Sequence, residues 1–320
     1  MDFRRDLELL MTRHFLILVL VNLMWAFQFS GAKIATEQLG PITVTFLPLA
    51  LSTLLLLPWA LLSRRRRPAG GRGLASAWPQ FLLLGTVGTI ASQLGLTWGV
   101  ERSLASNAAV LTLTIPVLTA VLAAMLLGER MTPLRWVSFV LAIGGVLLVS
   151  DIDWRSVNLT QSRFLLGNLL IFVSCFGSAF INSYSKKLLE NFSAAEVLVY
   201  SFFVADVLLF ALILAYEPDS LSRLAKIGGG AWLSLLLIAL FSLSISMVLF
   251  FIVLEKIDAT QASLSIYLLP VFGVLISAVT VGERITWNLI LGGALVFVST
   301  FLVTTYEERV KAKEAIHAQV

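Results

Sequence analysis

One carboxylate stands alone in the middle of an apolar run: Asp206, within VLVYSFFVADVLLFALIL, residues 197–214. An ionised Asp at the centre of a bilayer costs about 2.5–3.5 kcal/mol on insertion scales, so such a residue must be protonated, paired or facing water. Its chemistry is either proton binding, which makes Asp206 a coupling candidate, or a neutral hydrogen bond between helices. The other polar side chains in the apolar runs are amides, hydroxyls and two lysines. Asn22, Trp25, Phe29 and Lys33 fall on one helical stripe at 100° per residue. Shifted by 153 positions, the stripe becomes Cys175, Ser178, Asn182 and Lys186, so both end in lysine. Further along, Gln93 pairs with Thr97, Asn107 with Thr114 and Gln261 with Ser265 at helical spacings, while Phe250 and Tyr267 offer aromatic walls. Amides and hydroxyls converging from several helices can bind a small polar solute. Singly, such residues also serve only to hydrogen-bond neighbouring helices, and lysines near helix ends snorkel to the interface.

The tools of catalysis are missing from the sequence. Both histidines, His14 and His317, lie near the ends of the chain, and there is no HExxH, GxSxG or paired-Asp motif. An interior with one Asp and no His is poorly equipped for acid–base chemistry, so an enzyme is not expected. No Walker A motif supplies an ATP site, no cluster of ligating residues suggests a metal, and no cofactor is expected. The single Cys175 excludes a disulfide framework.

What must position these groups is a set of membrane helices. The 320 residues are 58% hydrophobic and 13% charged, with a mean hydropathy of +0.91. Soluble chains carry about 25% charge, so this chain could not cover two soluble domains with polar surface. A span needs roughly 20 apolar residues. Ten such runs occur, at 14–35, 42–62, 79–99, 104–126, 133–150, 164–185, 194–215, 231–253, 261–281 and 287–305. They are numbered spans 1 to 10 below. The first lacks a small-x-small cleavage site and is read as a retained span rather than a signal peptide. The longest link, Ser63–Trp78, holds SRRRRPAGGRG, and no segment is long enough for a nucleic-acid reader domain. With the N-terminus cytoplasmic, sixteen Lys and Arg lie on that side and seven on the other, which favours both termini inside.

The phrase Gly-Glu-Arg-x-Thr occurs twice, as Gly128, Glu129 and Arg130 and again as Gly282, Glu283 and Arg284, 154 positions apart. Sliding 101–132 onto 255–286 matches ten of 32 residues without a gap, Pro116 with Pro270 among them. The chain is an internal duplication, with one half over 14–150 and the other over 164–305. Each half holds five spans, an odd number, so the second copy runs through the bilayer upside down. The expected fold is all-α: ten transmembrane helices as two inverted five-helix repeats. Repeats of this kind are a transporter architecture with a solute site near the midplane. Each motif reads as a hairpin corner, with glycine in the left-handed conformation and Thr132 or Thr286 capping the next helix.

The pattern Pro-x11-Gly-Glu-Arg-x-Thr, in IPVLTAVLAAMLLGERMT and LPVFGVLISAVTVGERIT, resembles the EamA domain of the drug/metabolite transporter superfamily. WAFQFSGAK, residues 25–33, is similar to that family's first span. Phe176 and Gly177 depart from it where the second copy often starts with Trp. The resemblance implies a secondary transporter that exports small organic solutes, with amino acids, related metabolites and drugs as the candidate classes, from a bacterial inner membrane. It also implies that spans 1, 3, 4, 6, 8 and 9 line a central cavity. The alternatives are a nucleotide-sugar or sugar-phosphate antiporter of the same fold and, from a different class, a solute channel or membrane-embedded enzyme. The expected partners are the solute and the lipid bilayer, with no nucleic acid, and the chain is expected as a monomer or homodimer.

Overall fold

The computed structural model describes residues 3–65, 73–127, 164–256 and 265–301, with isolated positions between 133 and 148. Every regular element among them is helical. Seven helices are long and apolar enough to cross a membrane: Leu16–Thr36, Pro41–Arg64, Leu74–Glu101, Ala105–Leu122, Leu165–Leu189, Ala194–Tyr216 and Gly229–Leu254. They fall on spans 1 to 4 and 6 to 8. Span 9 is described as a 3₁₀ turn, Ser265–Leu268, followed by a shorter apolar helix, Leu269–Thr280. Span 10 is represented by Trp287–Phe301. Span 5, the first Gly-Glu-Arg corner (Gly128, Glu129, Arg130) and Gln261 lie largely or wholly outside the described residues, as do the side chains of Ser265 and Tyr267. Among the described residues, then, seven of the ten expected spans appear as helices long and apolar enough to cross a membrane.

Two irregularities recur at the repeat spacing and show the duplication in the backbone. A wide π-helical stretch, Leu84–Ile90, interrupts span 3, and another, Ile238–Ile245, interrupts span 8, beginning 154 positions later. Tight 3₁₀ turns occupy Thr112–Thr114 in span 4 and Ser265–Leu268 in span 9. The 3₁₀ turns have a local cause. Pro116 and Pro270 lack an N–H, and their rings crowd the carbonyl four residues back, so the preceding turn tightens.

Packing follows the same exchange. Span 1 packs on spans 8 and 9, span 6 on spans 3 and 4, and span 2 on span 7. Swapping the halves turns the first set into the second and leaves the 2–7 pair unchanged. Helices in lipid gain little from burying oil against oil, so close backbone approach and interhelical hydrogen bonds hold them together. Gly177 shows how close: a Cβ there would stand 2.5 Å from the Ser92 nitrogen and 2.8 Å from the Gly88 carbonyl oxygen. The Ser174 hydroxyl donates to the Ser92 carbonyl (2.6 Å), and the Ser92 and Ser178 hydroxyls lie 2.8 Å apart. Large apolar side chains such as Leu54, Phe203 and Leu233 are exposed on the outside of the bundle.

One end of the bundle is tied together by charged and amide groups, and it is called the Lys33 end below. There the Lys33 ammonium donates to the carbonyls of Val100 (2.6 Å) and Ser103 (2.5 Å), at the C-terminus of span 3. A cation is favoured at that helix end by the unpaired carbonyls and the helix dipole. The Glu217 carboxylate accepts from the Ile42 and Thr43 backbone N–H groups and the Thr43 hydroxyl, at the start of span 2. The Gly228 N–H donates to Gln38 Oε1 (2.7 Å).

Candidate functional site

The second Gly-Glu-Arg corner is built at this same end. Gly282 has φ +68°, the left-handed conformation that closes span 9. The Thr286 hydroxyl accepts from the Leu289 N–H (3.2 Å) and so caps span 10. Glu283 reaches across the bundle: its two carboxylate oxygens accept from the N–H groups of Ala105 and Ser106, each at 2.8 Å. The carboxylate therefore caps span 4, in the other half of the chain. Arg284 lies beside it in the same corner, in an exposed position.

Between the halves lies a cavity of about 80 Å³, room for a few waters or the core of a small solute. Its walls come from spans 1, 3, 4, 6, 8 and 9. Trp25, Gln28 and Phe29 face it from span 1, and Ser178, Ile181 and Asn182, each 153 positions later, face it from span 6. Gln93, Leu96, Thr112 and Ile115 face Met247, Phe250, Ile266 and Leu269, each 154 later. Ser92, Ser174 and Ser242 complete the lining, and none of these side chains is ionisable.

The lining is thus a nearly closed set under the repeat, yet its chemistry is lopsided. Trp25 stacks at a tilt on Phe250, ring centres 5.0 Å apart. Its repeat mate Ser178 supplies no ring and bonds Ser92 instead. Gln28 Nε2 donates to Gln93 Oε1 at 2.6 Å, whereas their mates are Ile181 and Met247. The Ser242 hydroxyl donates to the Met24 carbonyl (2.7 Å) and ties the wide turn of span 8 to span 1. Asn182 is only 6% exposed, lines the cavity, and its side-chain amide has no hydrogen-bond partner among the described residues. A buried amide of that kind can both donate and accept a hydrogen bond.

The structure sorts the residues singled out from sequence. Trp25, Gln93, Asn182 and Phe250 line the cavity. Asn22 does not: its Nδ2 donates to the Leu18 carbonyl (2.7 Å) in its own helix. Asn107 belongs to a buried polar cluster near the Lys33 end, its Nδ2 3.2 Å from Ser103 Oγ and 3.4 Å from Asn168 Oδ1. Thr114 donates to the Leu111 carbonyl (2.8 Å). Lys33 is engaged at the end of span 3, and Lys186 lies in the last turn of span 6. The cavity-facing stripe of span 1 is rotated roughly 50° from the expected one, toward Gln28, at 100° per residue. Gln28, Ser92 and Ser242 were missed. Gln28 was legible as the residue one turn beyond Trp25 on the same face.

Asp206 is not among the residues that line the cavity. It is 9% exposed, its Oδ2 lies 2.6 Å from the Thr53 hydroxyl on span 2, and its Oδ1 is buried without a partner. The Thr53 hydroxyl also lies 3.0 Å from the Leu49 carbonyl. A hydroxyl has one proton, so both contacts are satisfied together when the Asp206 carboxyl carries a proton of its own and donates to Thr53.

The model of the EamA-like transporter family matches residues 12–151 and again 165–305. The chain belongs to the EamA-like transporter family. Among its EamA relatives, an uncharacterized transporter of Archaeoglobus fulgidus is 23% identical over 91% of this chain and 98% of its own length. The uncharacterized transporter YoaV of Bacillus subtilis is 24% identical over 93% and 99%. A probable terminal-alkyne amino-acid exporter of Streptantibioticus cattleyicolor is 24% identical over 89% and 91%. A solved crystal structure superposes with a TM-score of 0.63 at 17% identity, covering 93% of this chain and 99% of that one, which establishes likeness of fold. The EamA match, the membrane-crossing helices and the relatives' names make this a multi-pass membrane protein of a transporter family, and the family is not one of enzymes.

Proposed function

We propose that this protein is a secondary active transporter that exports small organic solutes, amino acids or related metabolites, by alternating access around the central cavity. The ten-span, two-inverted-repeat plan over 14–150 and 164–305 belongs to this reading. So does an inner-membrane location with both termini cytoplasmic. The observation that carries it is the cavity: a lining mostly paired across the repeat, free of ionisable side chains, with the Asn182 amide, unpartnered among the described residues, inside it. A binding site on a pseudo-twofold axis is the arrangement in which rocking one half against the other opens it to each side in turn.

The chemistry of the lining favours a solute without net charge. Asn182 can donate to a carboxylate or accept from an ammonium, and the Trp25 and Phe250 faces can receive an apolar body or attract a cation within about 6 Å. A phosphorylated solute brings about two negative charges, which need buried cations to offset their desolvation. Lys33, the nearest cation along span 1, spends its ammonium on the Val100 and Ser103 carbonyls. The amino-acid exporter among the relatives points the same way. Counterflow in proteoliposomes tests the reading, with labelled neutral amino acids set against labelled sugar phosphates and nucleotide sugars. Exchange of amino acids is expected; exchange confined to the phosphorylated panel would replace the reading with the antiporter. Solute flux that rises without saturation would point to a channel instead.

A further inference from the structure

A second void, about 10 Å³ and water-sized, lies beyond the central cavity. It is lined by Ala32 on span 1, Val44, Thr45 and Pro48 on span 2, Thr97 on span 3, and Ile238 and Leu243 on span 8. Along spans 1, 2 and 3 these positions are displaced toward the Lys33 end. Ala32 directly precedes Lys33, Thr97 lies one turn before Glu101, and Val44 lies one turn into span 2. Gln28 and Gln93 are the residues that line both spaces. Their amides meet at 2.6 Å, so the hydrogen-bonded pair stands between cavity and void.

We propose that the Gln28–Gln93 amide pair is the gate of the transport path toward the Lys33 end, shut in this conformation. The inference rests on the alternating-access reading above. Repeat symmetry sharpens it. The mates of the two glutamines are Ile181 and Met247, which also line the cavity. The cavity therefore carries an amide latch toward one side and apolar side chains at the equivalent positions of the other half. The two sets of residues are unlike in what parting them offers a solute. An apolar pair offers a polar solute nothing in exchange for separating. The amide pair does: parting it frees Gln28 Nε2 as a donor and Gln93 Oε1 as an acceptor. A solute head that carries both a carboxylate and an ammonium can take up both groups at once. A ligand shifts a conformational equilibrium only through contacts that differ between the two states, and these contacts exist only in the parted state. Solute in the cavity thus favours opening at the Lys33 end specifically. The second barrier on that route, Lys33 on the Val100 and Ser103 carbonyls, lies about 7.5 Å further along span 1 at 1.5 Å per residue.

The test reads the gate directly. A Thr97→Cys reporter in the void, in a chain carrying Cys175→Ala, is placed in nanodiscs and labelled with a water-soluble maleimide. Slow labelling is expected with the native pair. The double variant Gln28→Ala/Gln93→Ala, which removes both amides and leaves no side chains long enough to meet, should label about three- to tenfold faster, the effect of losing one net hydrogen bond. Gln93→Glu retains an acceptor for Gln28 Nε2 and should label as slowly as the parent. An unchanged rate in the double variant, with its melting midpoint and monodispersity intact, overturns the proposal. If the double variant does not fold, Gln28→Leu alone carries the same expectation and the same power to refute. Because the labelling rate needs no solute, a failed gate is distinguishable from a failed transport reading, which counterflow decides separately.

Discussion

Asp206 and Lys33 are the two buried or half-buried charges on which a functional reading first settles, and both have structural work. Asp206 packs span 7 on span 2 through Thr53, outside the cavity lining, with geometry that suits a protonated carboxyl. Asp206→Asn should therefore express normally and keep most transport, since an amide can donate to Thr53 as the acid does. Counterflow measured across a pH series checks this; normal expression with loss of pH-dependent uptake would make Asp206 the coupling residue. Lys33 neutralises the exposed carbonyls at the end of span 3. Lys33→Met should destabilise the protein by about 1–2 kcal/mol, the worth of a partly buried cation at a helix C-terminus. Solute preference in counterflow should be unaltered. A melting midpoint equal to the parent's, together with a changed preference, would return Lys33 to the binding site.

At the scale of elements, the decisive contact is span 3 against span 6, because it sets the width of the cavity they share. Gly177 faces the Ser92 nitrogen so closely that no Cβ fits, whereas its neighbour Phe176 is 39% exposed on the outside of the bundle. This accounts for the departure at 176–177 from the family's aromatic pattern: the backbone approach leaves no room for a ring at 177. Gly177→Ala should cost about 1–3 kcal/mol through forced separation of the helices, while Phe176→Ala should be close to neutral. Thermal melts of the two purified variants in one detergent compare them. Equal midpoints would show that the helices part without penalty. The recurring π and 3₁₀ segments belong to this scale too, since they aim Ser242, Thr112 and Ile266 at the cavity.

Taken whole, the molecule has two ends of different construction. Span 2 runs from Pro41, at the Lys33 end, to Arg65, so Ser63 lies at the opposite end from Arg284, whose neighbour Glu283 caps span 4. The inverted-repeat reading, with both termini and the Arg64–Arg67 cluster cytoplasmic, predicts that cysteines at Ser63 and Arg284 label from opposite sides of an intact membrane. An impermeant thiol reagent applied to cells and to inverted vesicles distinguishes the two sides. Labelling of both from the same side would end that reading.

Membrane insertion, the duplication and the family were all legible without coordinates, because each depends on one-dimensional quantities. Those are the length of apolar runs, the offset between copies, and the turn chemistry of a Pro-x11-Gly-Glu-Arg-x-Thr motif. The participation of Trp25, Gln93, Asn182 and Phe250 in one cavity followed from helical spacing combined with the family resemblance. What the sequence left open was which polar groups are already spent. Asn22 and Asn182 are the same residue type in comparable apolar surroundings, yet Asn22 Nδ2 donates to its own helix, its Oδ1 buried without a partner, while Asn182 lines the cavity with no partner among the described residues. The difference arises from the rotation of span 1 by roughly half a residue step about its axis. That rotation is set by packing against spans 8 and 9, and not by anything local to residue 22. Likewise, the Glu of a hairpin corner can be recognised from its motif. Only the folded chain brings Glu283 to the start of span 4, 178 residues away, because a carboxylate and two unpaired N–H groups satisfy each other wherever the fold lets them meet.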